Sequence, residues 1–218
     1  MKDFKNLFKC LFIFFIMLAV QCSNIAYAET TMSAETYFNR GLAKLELKDY
    51  YGAIADYTRA IELNPQDADA YNNRGNAKFN LQDYNGAIAD YTRAIELNPQ
   101  YADAYYNRGN AKFNLQDYNG AIADYTRAIE LNPQYAEAYY NRGYAKSNLK
   151  DYNGAIADYT RAIELNPQDA EAYNNRGNAK SNLKDYNGAI ADMNEALRLD
   201  PDNGQVKYLK SLLMKVVK

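Results

Sequence analysis

The chain has 218 residues, 48% of them apolar and 24% charged, with 25 basic and 27 acidic side chains and a formal net charge of −2. That balance fits a globular protein and gives no concentrated basic face of the kind nucleic-acid binding requires. Histidine and tryptophan are absent, tyrosine occurs 22 times, and the only cysteines are Cys10 and Cys22.

Residues 1–28 read as a secretory signal peptide. Lys2, Lys5 and Lys9 form a positive start, Cys10 to Val20 is an apolar run, and Ala26-Tyr27-Ala28 supplies small residues before Glu29. The run is short for a bilayer-spanning helix, which needs ~20 apolar residues. Cleavage after Ala28 removes both cysteines, so apolar packing alone must hold the remainder together. The expectation is an exported protein, periplasmic or secreted, with no stable membrane insertion once cleaved. An uncleaved anchor is the alternative, and a lipoprotein cut before Cys22 is disfavoured by the bulky Gln21.

After a short segment, 29–33, the chain repeats itself. Asn-Pro recurs at 64–65, 98–99, 132–133 and 166–167, and Asp200-Pro201 continues the 34-residue step. Gly41, Gly75, Gly109, Gly143 and Gly177 keep the same period. So do Tyr50, Tyr84, Tyr118, Tyr152 and Tyr186. Five units follow: 34–67, 68–101, 102–135, 136–169 and 170–203.

Each unit reads as two helices. In the second unit, Tyr71, Gly75 and Ala77 mark the first helix, with Leu81 at its end. Asp83 is placed to cap the second, where Tyr84, Ala87, Ile88, Tyr91, Ala94 and Ile95 form one helical stripe. Pro99 closes the unit. Gly75 and the alanines allow close helix approach. Residues 204–218 form a further amphipathic helix with Val206, Leu209, Leu212, Leu213 and Val216 near one face. It reads as a cap for the exposed end of a solenoid, or as a docking helix for a partner.

The matches Tyr71, Gly75, Tyr84, Ala87, Tyr91, Ala94 and Pro99, repeated in phase over 34–203, resemble the tetratricopeptide repeat. The resemblance implies an all-α, right-handed superhelical solenoid of five helix–turn–helix repeats, with a concave groove lined by the first helices. It also implies a non-catalytic scaffold that binds polypeptides. Two columns depart from the family pattern. Arg40, Arg74, Arg108, Arg142 and Arg176 stand where apolar residues are usual, and Lys44, Lys78, Lys112, Lys146 and Lys180 where a large aromatic is common. Arg74 lies as far before the turn as Asp90 lies after it. The pairs Arg40–Asp56, Arg74–Asp90, Arg108–Asp124, Arg142–Asp158 and Arg176–Asp192 are therefore expected to meet.

No catalytic constellation is visible. Without histidine, and without cysteine after processing, the commonest base, nucleophile and zinc ligands are missing. The acids recur at the same place in every unit, whereas a catalytic pair should break the repeat. No Gly-rich phosphate loop or calcium loop occurs. The reading is no enzyme, no metal and no cofactor.

The candidate binding residues lie on the first helices. One column is Asn39, Asn73, Asn107, Asn141 and Asn175, with Asn76 and Asn110 beside it. A second column is acidic: Glu35, Asp69, Asp103, Glu137 and Glu171. Aromatics concentrate in the middle, at Phe79, Tyr106, Phe113, Tyr140 and Tyr144, with Tyr101 and Tyr135 at the unit joins. An asparagine carries both a donor and an acceptor, so a ladder of them can hold an extended peptide backbone while tyrosine and phenylalanine take its apolar side chains. The asparagine ladder in the tetratricopeptide superhelix of the enzyme that adds N-acetylglucosamine to proteins is similar. A soluble surface with no ligand is the plain alternative. The clamp that grips acidic chaperone tails needs cations on this face. Phe38, Asp103 and Asn107 occupy the matching places, so that mode is rejected and a neutral to basic protein or peptide partner is expected. An architectural subunit working through its convex face or C-terminal helix, and glycan binding through the tyrosines, remain alternatives.

Overall fold

A computed structural model describes residues 32–216, so the proposed signal peptide, with Cys10 and Cys22, lies outside the described residues. The chain divides into two compact units, residues 1–65 and 66–218.

The described part of the first unit is one helical hairpin, α1 (Ala34–Glu46) and α2 (Tyr50–Leu63). Ser33 accepts from the Thr36 amide and Asp49 from the Gly52 amide, which caps each helix start. Gly41 faces the Tyr57 ring, where a β-carbon would sit 2.7 Å from Cε1.

The second unit contains four hairpins and a terminal helix. They are α3 (Ala68–Asn80) with α4 (Tyr84–Leu97), α5 (Ala102–Asn114) with α6 (Tyr118–Leu131), α7 (Ala136–Asn148) with α8 (Tyr152–Leu165), and α9 (Ala170–Asn182) with α10 (Tyr186–Leu199). The last helix is α11 (Gly204–Val216). Each second helix begins on an aspartate whose carboxylate accepts an amide hydrogen, as at Asp83 with Gly86 N, 2.9 Å. The turns within hairpins are tight. Gln82, Gln116, Lys150 and Lys184 take left-handed φ of 63° to 65°, and the next amide reaches back to close the helix end (Asp83 N to Lys78 O, 3.0 Å).

Packing follows the small–large alternation of the sequence. Tyr91 and Tyr125 are each 1% exposed, and a β-carbon on Gly75 or Gly109 would lie 2.6–2.7 Å from their rings. In those repeats the glycine makes room for a ring, whereas Gly143 and Gly177 also meet a helix carbonyl, Ala155 O at 3.2 Å and Ala189 O at 3.1 Å. Each second helix also packs on the first helix of the next hairpin: Ala87 and Tyr91 meet Ala111, and Ala94 and Ile95 meet Ala104. Successive first helices touch one another as well, and no pair of second helices does so to the same extent. The stack in this unit therefore closes toward its first-helix side. At its end, Val206 is buried against Met193 and Ala196, with Leu209 and Leu213 beside it. Leu212 and Val216, expected on that same face, are exposed instead, because 206, 209 and 213 already fill the face that α10 covers.

All five expected Arg–Asp pairs form, and each gains a lysine. Arg108 makes a forked contact to Asp124 (Nε to Oδ2 2.9 Å, Nη2 to Oδ1 2.7 Å), and Lys112 Nζ sits 2.7 Å from Oδ2. The remaining Arg108 nitrogen, Nη1, donates to Thr92 Oγ1 of the preceding hairpin at 3.0 Å. Its guanidinium lies over the Tyr105 ring, 5.6 Å from the centroid. The aspartates are 3–5% exposed, so these are buried, doubly compensated carboxylates and not surface pairs. In the first unit, burial pushes the Asp56 carboxyl up. The hydrogen bonds and charges of Arg40 and Lys44 outweigh it and leave the group below its ordinary value of 3.8.

Asp124→Ala leaves Arg108 and Lys112 facing each other without a counterion. Because both keep some access to water, the loss should fall at about 3 kcal/mol, the low end for a broken buried pair. The matching loss of the exposed Glu130 beside Arg127 should leave stability unchanged. Amide hydrogen exchange over α5 and α6 checks both, since a repeat stack opens locally. Conversely, Gln116→Gly relieves a left-handed side chain in the α5–α6 turn. It should raise the midpoint of denaturant unfolding by the equivalent of about 1 kcal/mol.

Candidate ligand groove

The first helices present two bands of different chemistry. The N-terminal turns carry Asp69, Asp103, Glu137 and Glu171, all exposed. Tyrosines from the repeat joins and from α7 turn toward them. Tyr101 donates to Asp69 Oδ1 at 2.6 Å, and Tyr140 to Glu171 Oε2 at 3.3 Å. Burial, reinforced by the carboxylates, pushes the Tyr101, Tyr135 and Tyr140 phenols well above 10, so each keeps its proton. In the first unit, Glu35 and Asn39 are exposed on α1.

The asparagine column is half-buried and largely occupied with the protein itself. Asn107 donates to Asn72 Oδ1 at 3.2 Å. Asn141 donates to Tyr106 Oη and to Asn110 Oδ1, both at 3.0 Å, and Asn175 to Tyr140 Oη at 2.8 Å. Each amide thus reaches back one repeat, its N–H groups tie the stack together, and its oxygen is left over. Asn73 is half-buried on α3. Asn76 and Asn110 use their oxygens, which accept from Tyr91 and Tyr125 hydroxyls at 2.8 Å. Tyr106 serves the stack: its ring packs 4.8 Å from Tyr135 and 5.9 Å from Tyr125.

The second band, nearer the helix C-termini, is open and uncharged. Phe79, Phe113, Tyr125, Tyr140 and Tyr144 wall a pocket of ≈ 270 Å³, with the amides of Asn110, Asn114 and Asn141 around it. Phe113 and Tyr144 stack at 5.2 Å. On the other side of Tyr144 a second pocket of ≈ 260 Å³ is lined by Tyr152, Tyr159 and Ser147, with Asn148, Asn175, Asn178 and Asn182 supplying amides. Of the residues expected in the groove, the structure brings together Phe79, Asn110, Phe113, Tyr140, Asn141 and Tyr144, and sets Asn175 in the second pocket. The acidic column lies toward the other end of the same helices and meets the pocket wall at Tyr140, which donates to Glu171.

Helical spacing puts Asn80 on the groove face with Asp69, Asn73 and Asn76, but sequence reasoning missed the column it belongs to: Asn80, Asn114, Asn148 and Asn182 end the first helices at the 34-residue step. Each donates to the carbonyl four residues back at 2.8–2.9 Å, which turns its own oxygen outward. The period alone could have found them.

Among the described residues no group of His, Cys, Asp and Glu is assembled to hold a metal ion, and no helix is long and apolar enough to cross a membrane.

Comparison with known proteins agrees with this architecture. The family "TPR repeat" matches residues 75–116 and 109–150. "Tetratricopeptide repeat" matches 34–67, 136–169 and 170–203, and a second family of that description matches 56–89. No curated protein matches the chain by sequence. Among solved structures, MamA protein is 27% identical with a TM-score of 0.72, over 79% of this chain and 94% of that one. YrrB, described as "a TPR protein with an unusual peptide-binding site", is 24% identical with a TM-score of 0.74, over 86% and 97%. The TPR domain of Arabidopsis OM64 is 34% identical with a TM-score of 0.51, over 52% and 94%. Repeat matches from 34 to 203, hairpins of the same period and these structural neighbours agree: the chain belongs to the tetratricopeptide-repeat family.

Proposed function

We propose that the protein is an exported, non-catalytic adaptor that holds an extended segment of a partner polypeptide along its first-helix face. The observation that carries this reading is the pair of open pockets flanking Tyr144, lined by aromatic and neutral polar side chains and Ala179, with no charged group among them. An extended strand rises ~3.3 Å per residue and packed helices lie 8–10 Å apart, so about every third ligand residue meets a new repeat. Leftover amide oxygens would accept its backbone N–H groups, and the rings would take its side chains. The acidic band favours neutral to basic segments and repels acidic tails. YrrB, which is named for a peptide-binding site, supports the same direction at the level of the fold.

The test uses peptides selected by the purified protein from a random display library. Asn73, Asn107 and Asn141 changed together to Ala should weaken binding by roughly tenfold to a thousandfold, from ~0.5–1.5 kcal/mol per lost bond. Two of these amides also tie successive repeats, so Asn114→Ala is the cleaner variant: its amide bonds only within its own helix. It should lose about two- to tenfold at unchanged helix content. Unchanged binding in both variants removes the support for the groove.

A second reading has one observation in its favour. The outer face of α11 exposes Tyr208, Leu212 and Val216, which suits an assembly subunit. In that case the groove variants do nothing, and deleting 204–218 abolishes assembly.

Export is tested by mass. The protein recovered from the cell envelope or medium should begin at Glu29; a full-length, membrane-retained chain would rule out cleavage.

A further inference from the structure

We propose that the pocket walled by Phe79, Phe113, Tyr125, Tyr140 and Tyr144 receives the guanidinium of an arginine carried by the bound segment. This rests on the reading of the first-helix face as a groove for an extended polypeptide, and it changes what the aromatic residues do there: they hold a cation in place of an apolar side chain.

The pocket's size fits one side chain. At ≈ 270 Å³ it lies below the ~300–1,000 Å³ of sites that enclose a whole small molecule.

Two of its three lining amide oxygens are free. Asn141 spends its N–H groups on Tyr106 and Asn110, and its oxygen remains. Asn114 donates to Asn110 O and keeps its oxygen. The Asn110 oxygen already takes two donors, Tyr125 Oη and Asn141 Nδ2. An apolar ligand would therefore cover two amide oxygens and give them no donor, which is unfavourable. A guanidinium supplies five N–H donors in one plane and stacks on aromatic rings. It is also more weakly hydrated than a lysine ammonium, which needs three strong acceptors to replace its water. Five aromatic rings with two amide oxygens suit the first ion better than the second.

The protein's own cations do not occupy the pocket. The Arg and Lys of α5 and α7, the helices that build most of it, are held by Asp124 and Asp158. The same helices carry Asp103 and Glu137 in their first turns, so the face that a ligand approaches is negative at one end and uncharged at the other. A cationic segment is drawn in by the acids and lodges its charged group beyond them.

The experiment is an NMR titration of the purified full-length protein with three blocked peptides of Gly, Ala and Ser that differ at one central residue: arginine, citrulline or lysine. Citrulline has the shape of arginine without its charge. The arginine peptide should bind about tenfold tighter than the citrulline peptide, with lysine between them. Tyr144→Leu keeps apolar cover but removes one ring from the partly exposed rim. It should weaken the arginine peptide more than the citrulline peptide and bring the two close together. Equal binding of arginine and citrulline peptides overturns the cation pocket and leaves the groove standing. A preference for arginine that survives Tyr144→Leu overturns its location. Binding of none of the three overturns both readings.

Discussion

The buried aspartate between an arginine and a lysine is the contact on which each repeat turns. The helices here are built from alanine, glycine and tyrosine, and small residues permit close packing without fixing which turn of one helix faces which turn of the next. The forked Arg–Asp contact supplies that register. It binds position 108 to position 124 through two bonds in one plane, so α5 can neither slide nor rotate against α6 without breaking both. From the third repeat onward the remaining guanidinium nitrogen reaches the threonine of the preceding hairpin. One side chain then sets both the geometry inside a hairpin and its seat on the neighbour. Taking a carboxylate out of water is unfavourable, and two cations at one carboxylate offset it.

That arrangement also decides the chemistry of the groove. Each first helix of the second unit carries two cations, and both are turned inward to the aspartate. What faces outward is therefore acids, amides and rings. The asparagines add a direction to this surface. Asn107, Asn141 and Asn175 all donate toward the preceding repeat, so their oxygens stay behind as a series of acceptors. A column that reads as an ambivalent donor–acceptor ladder is, in the folded protein, mainly an acceptor ladder.

The periodic part of this design is legible in the sequence, because it is one-dimensional. The 34-residue step places every hairpin, Asp83 announces its capping role by position, and the matched offsets of Arg74 and Asp90 from the turn foretell their contact. Features that depend on how surfaces close over one another are not legible. A lysine in a column usually aromatic gives no sign of its partner, and only the depth of the aspartate reveals why Lys78 turns inward. Leu212 and Val216 continue an apolar pattern that α10 is too narrow to cover. That the Asn110 oxygen and the Asn141 N–H groups are already spent depends on tyrosines 15 and 35 residues away. The compact-unit boundary after Pro65 has no counterpart in composition or linker length.

The near-identity of the repeats suggests a surface that looks the same everywhere, yet the two pockets differ. The second helices of three repeats are identical, YNGAIADYTRAIEL, so the difference arises on the first helices. Tyr144 stands at the step where Asn76, Asn110 and Asn178 stand in other repeats, and its ring forms a wall shared by both pockets. One step later in the same helix, Ser147 replaces the phenylalanine of positions 79 and 113. The first substitution encloses the aromatic pocket; the second removes the ring that would enclose its neighbour and leaves amides in its place. Along the stack the groove therefore changes from aromatic to amide-lined within one repeat. A uniform ladder could hold a strand in either direction and any register. In the proposed binding mode, a ladder broken at one tyrosine and one serine gives the strand a fixed point, and with it a direction.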